Sequence, residues 1–231
     1  MKSLTAAARR LAFLIWRASV KSSLNRADAC RLFDLNLVVD PGVLHPAHFK
    51  SSRVLTSHLM GLSLRGLNIA DIGTGSGILA MVAARAGAVV TASDISPVAL
   101  NCAAGNARRN GLADRMSVVE SDVWSQFPSD STFDLVITNP PFYPRTAETM
   151  SDHGFAAGES YEFFVKLADG LRARLREGGS LLLIQSSDTD FAPIAGILEA
   201  RGLRGTVELV RRGLFETLTV RRFSRTSLAG C

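Results

Sequence analysis

Asn139-Pro140-Pro141-Phe142 directly follows the apolar run Phe133-Asp134-Leu135-Val136-Ile137-Thr138. Neither proline can donate to a sheet ladder, so a strand running through Thr138 must stop there. What remains at its end is an amide side chain, the backbone carbonyl of Pro140 and an aromatic face. Together these can hold a planar amino or amide group, with two acceptors for its N–H bonds and a ring to stack on it. A rigid turn would use the same two prolines, so the tetrapeptide alone leaves both readings level.

A second constellation weighs on that choice. Asp71-Ile72-Gly73-Thr74-Gly75-Ser76-Gly77 lies between a short apolar run and a helical pattern. Glycines there allow a tight turn and close approach of a ligand to the backbone. The dinucleotide fingerprint wants its third glycine one position later, where this chain has Ile78. An acid leading the turn repels pyrophosphate and suits a cation, and a methionine-derived sulfonium carrying an ammonium group fits. Asp94, followed by Ile95, ends the next strand, where a carboxylate can accept ribose hydroxyls. Asp122, with Val123 beside it, follows the third strand and suits an adenine amino group with the ring between apolar neighbours. The competing role for each aspartate is a turn or helix cap. It is weak for Asp94, because Ser96 before Pro97 already makes a good cap, and it stays open for Asp122.

The elements that must position these residues alternate between strand and helix. Strands are expected at 67–71, 89–93, 116–119 and 135–138, with helices at 78–86, 97–110 and 160–175. A strand at 180–185, a helix at 194–201 and strands at 206–210 and 217–222 complete the pattern. Such alternation implies right-handed crossovers and a parallel sheet covered on both faces. The connection at 211–216 is too short for a crossover, so the last two strands form an antiparallel hairpin at the sheet edge. Residues 1–50 break this rhythm and are expected to form a helical arm and lead-in segment. Leu4, Leu11, Leu14, Ile15 and Ala18 share one helical face in it. A main domain over 51–225, opening with a helix at 52–62, and a tail over 226–231 complete the division. Residues 1–27 hold no acid, so a transit peptide is the competing reading of the arm.

The chain has 231 residues, 47% of them hydrophobic, enough to bury one large core. Its net charge of +5 permits a nucleic-acid or acidic partner, although scattered arginines are more often a solvated face. Cys30, Cys102 and Cys231 include no Cys-x-x-Cys pair, which argues against a disulfide framework and fits a reducing cytoplasm. No apolar run has the length of a membrane span, so no membrane partner is expected. His45, His48 and His153 lack metal-ligand spacing and read as surface or loop histidines, with no metal expected. Tyr161, Phe163 and Phe164 offer either a stacking platform or helix-core aromatics, with Phe164 in the core by its spacing to Leu167 and Leu171. The polar stretch 144–159 is either a substrate-gating loop or an ordinary connection.

The glycine loop, Asp94, Asp122 and Asn-Pro-Pro-Phe together resemble a class I S-adenosylmethionine-dependent methyltransferase. Within that class the pattern is similar to the HemK-like group, which includes release-factor glutamine methyltransferases and a eukaryotic branch also acting on lysine. The resemblance spans about residues 37–223 and includes Gly202-Leu203-Arg204-Gly205-Thr206 and Glu216-Thr217-Leu218-Thr219-Val220. It implies an α/β fold: a doubly wound, seven-stranded, mostly parallel sheet with an antiparallel last strand. It implies S-adenosyl-L-methionine as cofactor, held by Asp71, Gly73, Thr74, Gly75, Ser76, Gly77, Asp94, Ile95, Asp122, Val123 and Asn139. It implies an acceptor site of Asn139, Pro140, Pro141 and Phe142, with Asn139 and Pro140 catalytic. The acceptor implied is a glutamine or lysine side chain of a protein, with an RNA or DNA base or a small molecule as alternatives. The chain departs from the group in two places. Phe142 replaces the usual Tyr, and the stretch after Pro46 is longer and lacks the usual acids, bringing Ser52 to the position of a threonine near the cofactor.

Overall fold

The computed structural model describes residues 25–214 and 216–225. The amphipathic stretch at 4–18 and the tail at 226–231 lie outside them.

Seven strands form one sheet: β3 (Asn68–Ile72), β4 (Val89–Asp94), β5 (Met116–Glu120), β6 (Phe133–Thr138), β7 (Leu175–Ser186), β8 (Leu203–Arg212) and β9 (Thr217–Arg225). Their spatial order is β5-β4-β3-β6-β7-β9-β8, with β3 to β7 parallel and β9 antiparallel to both β7 and β8. The chain moves outward from β3 to β5, then returns to start again at β6. The crevice between the carboxyl ends of β3 and β6 is therefore a topological switch point, the usual ligand position in open α/β sheets.

Alternation along the central strands explains the two layers of helix. Ile69, Leu135, Ile137, Leu182 and Ile184 face one side and pack with α1 (Lys50–Leu59), α2 (Ile78–Arg85) and α3 (Pro97–Arg109). Ala70, Ile72, Val136, Leu181 and Leu183 face the other and pack with α4 (Glu162–Arg174) and α5 (Ala192–Glu199). Both faces are dry, so the strands read as near-continuous apolar runs. Phe164 is fully buried in the second layer, as its helical spacing predicts. The α3 cap is also as expected, with the Ser96 Oγ accepting from Ala99 N–H at 3.3 Å and Pro97 in the first turn. The strand expected at 180–185 is longer, because the chain pairs again at Leu175 after a register shift opposite Phe133 and Leu135.

The lead-in segment carries an element that the sequence reading did not assign. Residues 28–39 form a hairpin, β1 (Asp28–Leu32) and β2 (Leu35–Val39). Phe33 and Asp34, with φ of 51° and 57°, make the two-residue turn that such a hairpin favours. Leu35, Leu37 and Val39 are buried at every second position. Two asparagines one turn apart, Asn106 in α3 and Asn110 at its C-cap, then act as a substitute strand edge. Asn106 accepts from Val38 N–H at 2.8 Å and donates to its carbonyl at 3.0 Å. Asn110 does the same for Asn36, at 2.9 Å in each direction. The folded unit therefore begins well before residue 51.

Candidate active site

A cavity of about 430 Å³ opens at the switch point, a size typical of small-ligand sites. The glycine loop forms its floor. Gly73 and Thr74 N–H both donate to Ser93 C=O, at 2.9 and 2.8 Å, turning the chain sharply off β3. Gly73, Gly75 and Gly77 have φ of 73°, 54° and 83°, where side chains are strained. A Cβ on Gly73 or Gly75 would meet no atom within 4 Å, whereas one on Gly77 would lie 3.0 Å from Ala103 Cβ. The first two glycines thus leave open space for a ligand, and the third lets α2 pack on α3. Asn106 also donates to Ser76 C=O at 3.0 Å, tying the loop to the β1–β2 hairpin.

Asp71 lies beneath the loop, fully buried, and does not line the cavity. Its Oδ2 accepts from the Thr74 hydroxyl at 2.7 Å and from Ala80 N–H at 3.2 Å. Its Oδ1 is buried with no hydrogen-bond partner. Desolvation pushes its pKa up to about 7, against the opposing effect of those two donors. Asp94, at the end of β4, lines the cavity. It accepts from Gly75 N–H at 2.9 Å and Ser96 N–H at 3.0 Å, and burial raises its pKa. Ile95 and Val123 are also in the wall. Val123 has a φ of 56°, unusual for a β-branched residue, and is held there while its carbonyl accepts from the Ser121 hydroxyl at 3.0 Å. Asp122 forms an ion pair across the rim with Lys166 of α4.

Opposite the loop, Thr138 ends β6 with its hydroxyl on Ile72 C=O at 2.8 Å, fixing the start of the Asn-Pro-Pro-Phe segment against β3. Asn139 and Pro141 line the cavity, whereas Pro140, expected beside them in the acceptor site, is buried and is not in the wall. Asn139 Nδ2 donates to Ser52 Oγ at 3.0 Å, while its Oδ1 is buried with no partner. Ser52, in the first turn of α1, is itself in the wall. Phe142 is placed differently from the expectation. It turns back to pack against the core shared with α1 and α2 and is not in the cavity wall. The aromatic face in the wall belongs to Phe163 of α4.

The stretch 144–159 contributes part of the cavity wall and is tied to itself. Tyr143 N–H donates to Phe155 C=O at 2.9 Å, and Ala157 N–H to Tyr143 C=O at 2.8 Å. Arg145 pairs with Asp152 at 3.1 Å, and Asp152 also completes a capping box with Thr149. His153 reaches the cavity wall. His45 is not at the surface. It is buried, stacked on His48 at 4.5 Å, and burial lowers its pKa. Among the described residues no His, Cys, Asp and Glu cluster could hold a metal ion, and no helix is long and apolar enough to cross a membrane.

The donor and acceptor set fits a nucleoside joined to a cationic amino acid. Two glycines leave open space over exposed backbone, a carboxylate ends β4, and Asn139, whose amide oxygen is buried and unpartnered, stands in the wall across from the loop. The fold and this site define a class I S-adenosylmethionine-dependent methyltransferase. The family model for the methyltransferase small domain matches residues 34–212. The chain belongs to that family, and the cofactor is S-adenosylmethionine.

The release factor glutamine methyltransferase of Chlorobaculum tepidum is 32% identical over 188 residues, 73% of this chain and 61% of that protein. The ribosomal protein L11 methylase of Lactobacillus delbrueckii subsp. bulgaricus superposes with a TM-score of 0.59 at 25% identity, covering 81% of this chain and 83% of that one. The T. thermophilus 16S rRNA N2 G1207 methyltransferase shares the fold, with a TM-score of 0.66 at 22% identity over 87% of this chain and 50% of that one. The chain spans about three fifths or less of the length of the curated relatives it matches.

Proposed function

We propose that the protein transfers a methyl group in line to a planar nitrogen held by Asn139 and Pro140, and that the acceptor is a glutamine or lysine side chain of a protein. The observation that carries this reading is the Asn139 amide. Its Nδ2 is engaged by Ser52, which leaves a buried, unpartnered Oδ1 at the cavity wall. A buried acceptor without a donor costs about 1–3 kcal/mol, and an acceptor N–H entering the cavity relieves that cost.

When bound, S-adenosylmethionine supplies an electrophilic sulfonium methyl. The chain's own residues supply position. Gly73, Thr74, Gly75 and Ser76 offer backbone at close range to the methionine portion, Gly77 lets α2 start beside them, and Asp71 holds their turn from below. Asp94 takes the ribose hydroxyls. Ile95 and Val123 hold the adenine ring, and Asp122 takes its amino group after exchanging its pairing with Lys166. Across the cavity, Asn139 Oδ1 and the Pro140 carbonyl each accept one N–H of the acceptor. Holding both hydrogens lets the nitrogen present its lone pair to the methyl and stabilises positive charge as it forms. The proton leaves to solvent after transfer, so no strong base is needed. Pro141 stiffens the clamp, and Phe163 takes the stacking role first expected of Phe142.

The test is transfer from labelled cofactor into a cell lysate, followed by nuclease or protease. Label that survives nuclease and is lost to protease supports the protein acceptor. Label lost to nuclease supports an RNA or DNA base, the second reading, which the aromatic Phe163 in the wall favours.

A further inference from the structure

A second cavity, of about 650 Å³, lies between α1 and the turn of the β8–β9 hairpin. Lys50 and Arg53 stand on the helical side, Arg211 and Arg212 on the hairpin side, and Phe33 and Leu218 are among its apolar lining. The charge there is one-sided. Glu216 is the one carboxylate among its lining residues, and it already accepts from the Ser186 hydroxyl at 2.9 Å.

The arginines of this part of the chain divide into two sets. Arg201 pairs with Asp169, Arg221 bonds Gln185 and lies 4.6 Å from the Phe191 ring centre, Arg222 pairs with Glu208, and Arg225 bonds the carbonyls of Arg172 and Leu175. Arg201 thereby ties α5 to α4, and the other three are consumed in holding the sheet edge. Arg53, Arg204, Arg211 and Arg212 are exposed, and their side chains make no hydrogen bond or ion pair among the described residues; of these, Arg53, Arg211 and Arg212 line the groove. Unpaired guanidinium groups facing each other across a concave surface favour a polyanion laid between them. Their planar forks match phosphate oxygens, and the half-buried Phe33 in the lining adds an apolar surface beside them. A flat membrane surface would not reach both walls.

We propose that this groove binds the phosphodiester backbone of a single-stranded nucleic acid. Its place gives it a use. Ser52, which lines the reaction cavity and holds Asn139, sits on α1 between Lys50 and Arg53. A strand in the groove passes within one helical turn of the clamp, so it would dock an acceptor that is itself nucleic acid or is bound to one. The inference concerns docking and does not depend on which nitrogen is methylated.

The test is fluorescence anisotropy of the full chain with labelled single-stranded RNA of about twelve nucleotides. Single-stranded DNA of the same length, a duplex and a polyglutamate peptide complete the set. The expected result is binding of single strands in preference to duplex and peptide, weakening with salt with a log–log slope of about −2 to −3 for three or four neutralised phosphates. RNA and DNA arms distinguish the source. Arg53→Glu and the double variant Arg211→Glu, Arg212→Glu should each weaken binding at least about tenfold while leaving cofactor affinity by calorimetry unchanged, which also reports that they fold. Absence of salt-dependent binding, or full binding by both variants, would overturn the proposal. So would equal binding of polyglutamate, which would mark the groove as a site for an acidic protein segment.

Discussion

Replacing Asp71 by Asn should remove a pH-dependent cost from the fold. In the native chain the carboxyl is fully buried, one oxygen has no partner, and its pKa is pushed up to about 7 from an ordinary value of 3.8. The folded state therefore holds this proton more tightly than the unfolded chain. Between about pH 4 and pH 7 the folded protein binds more protons at this site, so Asp71 lowers stability progressively as pH rises and by a constant amount above that window. Each tenfold gain in proton affinity on folding corresponds to about 1.4 kcal/mol, so the ceiling is about 4 kcal/mol; relaxation around the loop makes a gain on the order of 2 kcal/mol by pH 8 the reasonable expectation. Asn is the neutral mimic, since its oxygen can keep the bonds from Thr74 and Ala80. Urea denaturation of cofactor-free wild type and Asp71→Asn at pH 5, 6, 7 and 8 measures the effect. The difference in stability should grow in favour of Asn up to about pH 7 and then level off. A constant difference across that range, or one growing in favour of Asp, would refute the account of this carboxyl.

Ser52→Ala removes the anchor of the Asn139 amide and should lower kcat about fivefold, the worth of one neutral hydrogen bond near 1 kcal/mol, with cofactor affinity little changed. Ser52→Thr should restore most of the rate, and equal rates for all three proteins would deny Ser52 a positioning role. Asn106→Ala removes the partner of the Val38 N–H and the amide's bond to the Ser76 carbonyl, and leaves the Val38 carbonyl with the Cys102 thiol alone. The expected loss is about 2–3 kcal/mol in chemical denaturation, together with weaker cofactor binding as the glycine loop loses its tie to the hairpin.

The parts of the site carried by local sequence were legible. Asp71 to Gly77 and Asn139 to Pro141 each sit at a strand end, where a glycine spacing or a proline pair dictates backbone behaviour within a few residues. The central strands were legible for a related reason, since a sheet buried on both faces leaves near-continuous apolar runs. What was missed depends on partners far along the chain. The β1–β2 hairpin offers only five residues of alternation per strand, and its registration comes from Asn106 in α3 and Asn110 at the C-cap of that helix. The direction of Phe142 after two prolines is set by the core it packs against, so Phe163, twenty-one positions later, took the place in the wall. Ser52 and Lys166 touch Asn139 and Asp122 only through the fold. The alignment of Ser52 with a cofactor-side threonine was the one signal pointing to it, and it did not foretell the contact with the clamp. His45 gave no sign of burial, because its setting is the stack with His48 beneath the hairpin.

The central claim is that Asn139 holds the acceptor nitrogen while the rest of the cavity holds the cofactor. The direct measurement pairs labelled-methyl transfer with S-adenosylmethionine calorimetry on Asn139→Ala. The account predicts a loss of about 10²–10³ in transfer rate, the scale set by removing one preorganised polar contact to a developing charge, with cofactor affinity within a few fold of wild type. Transfer at the wild-type rate by a variant that still binds cofactor would contradict it.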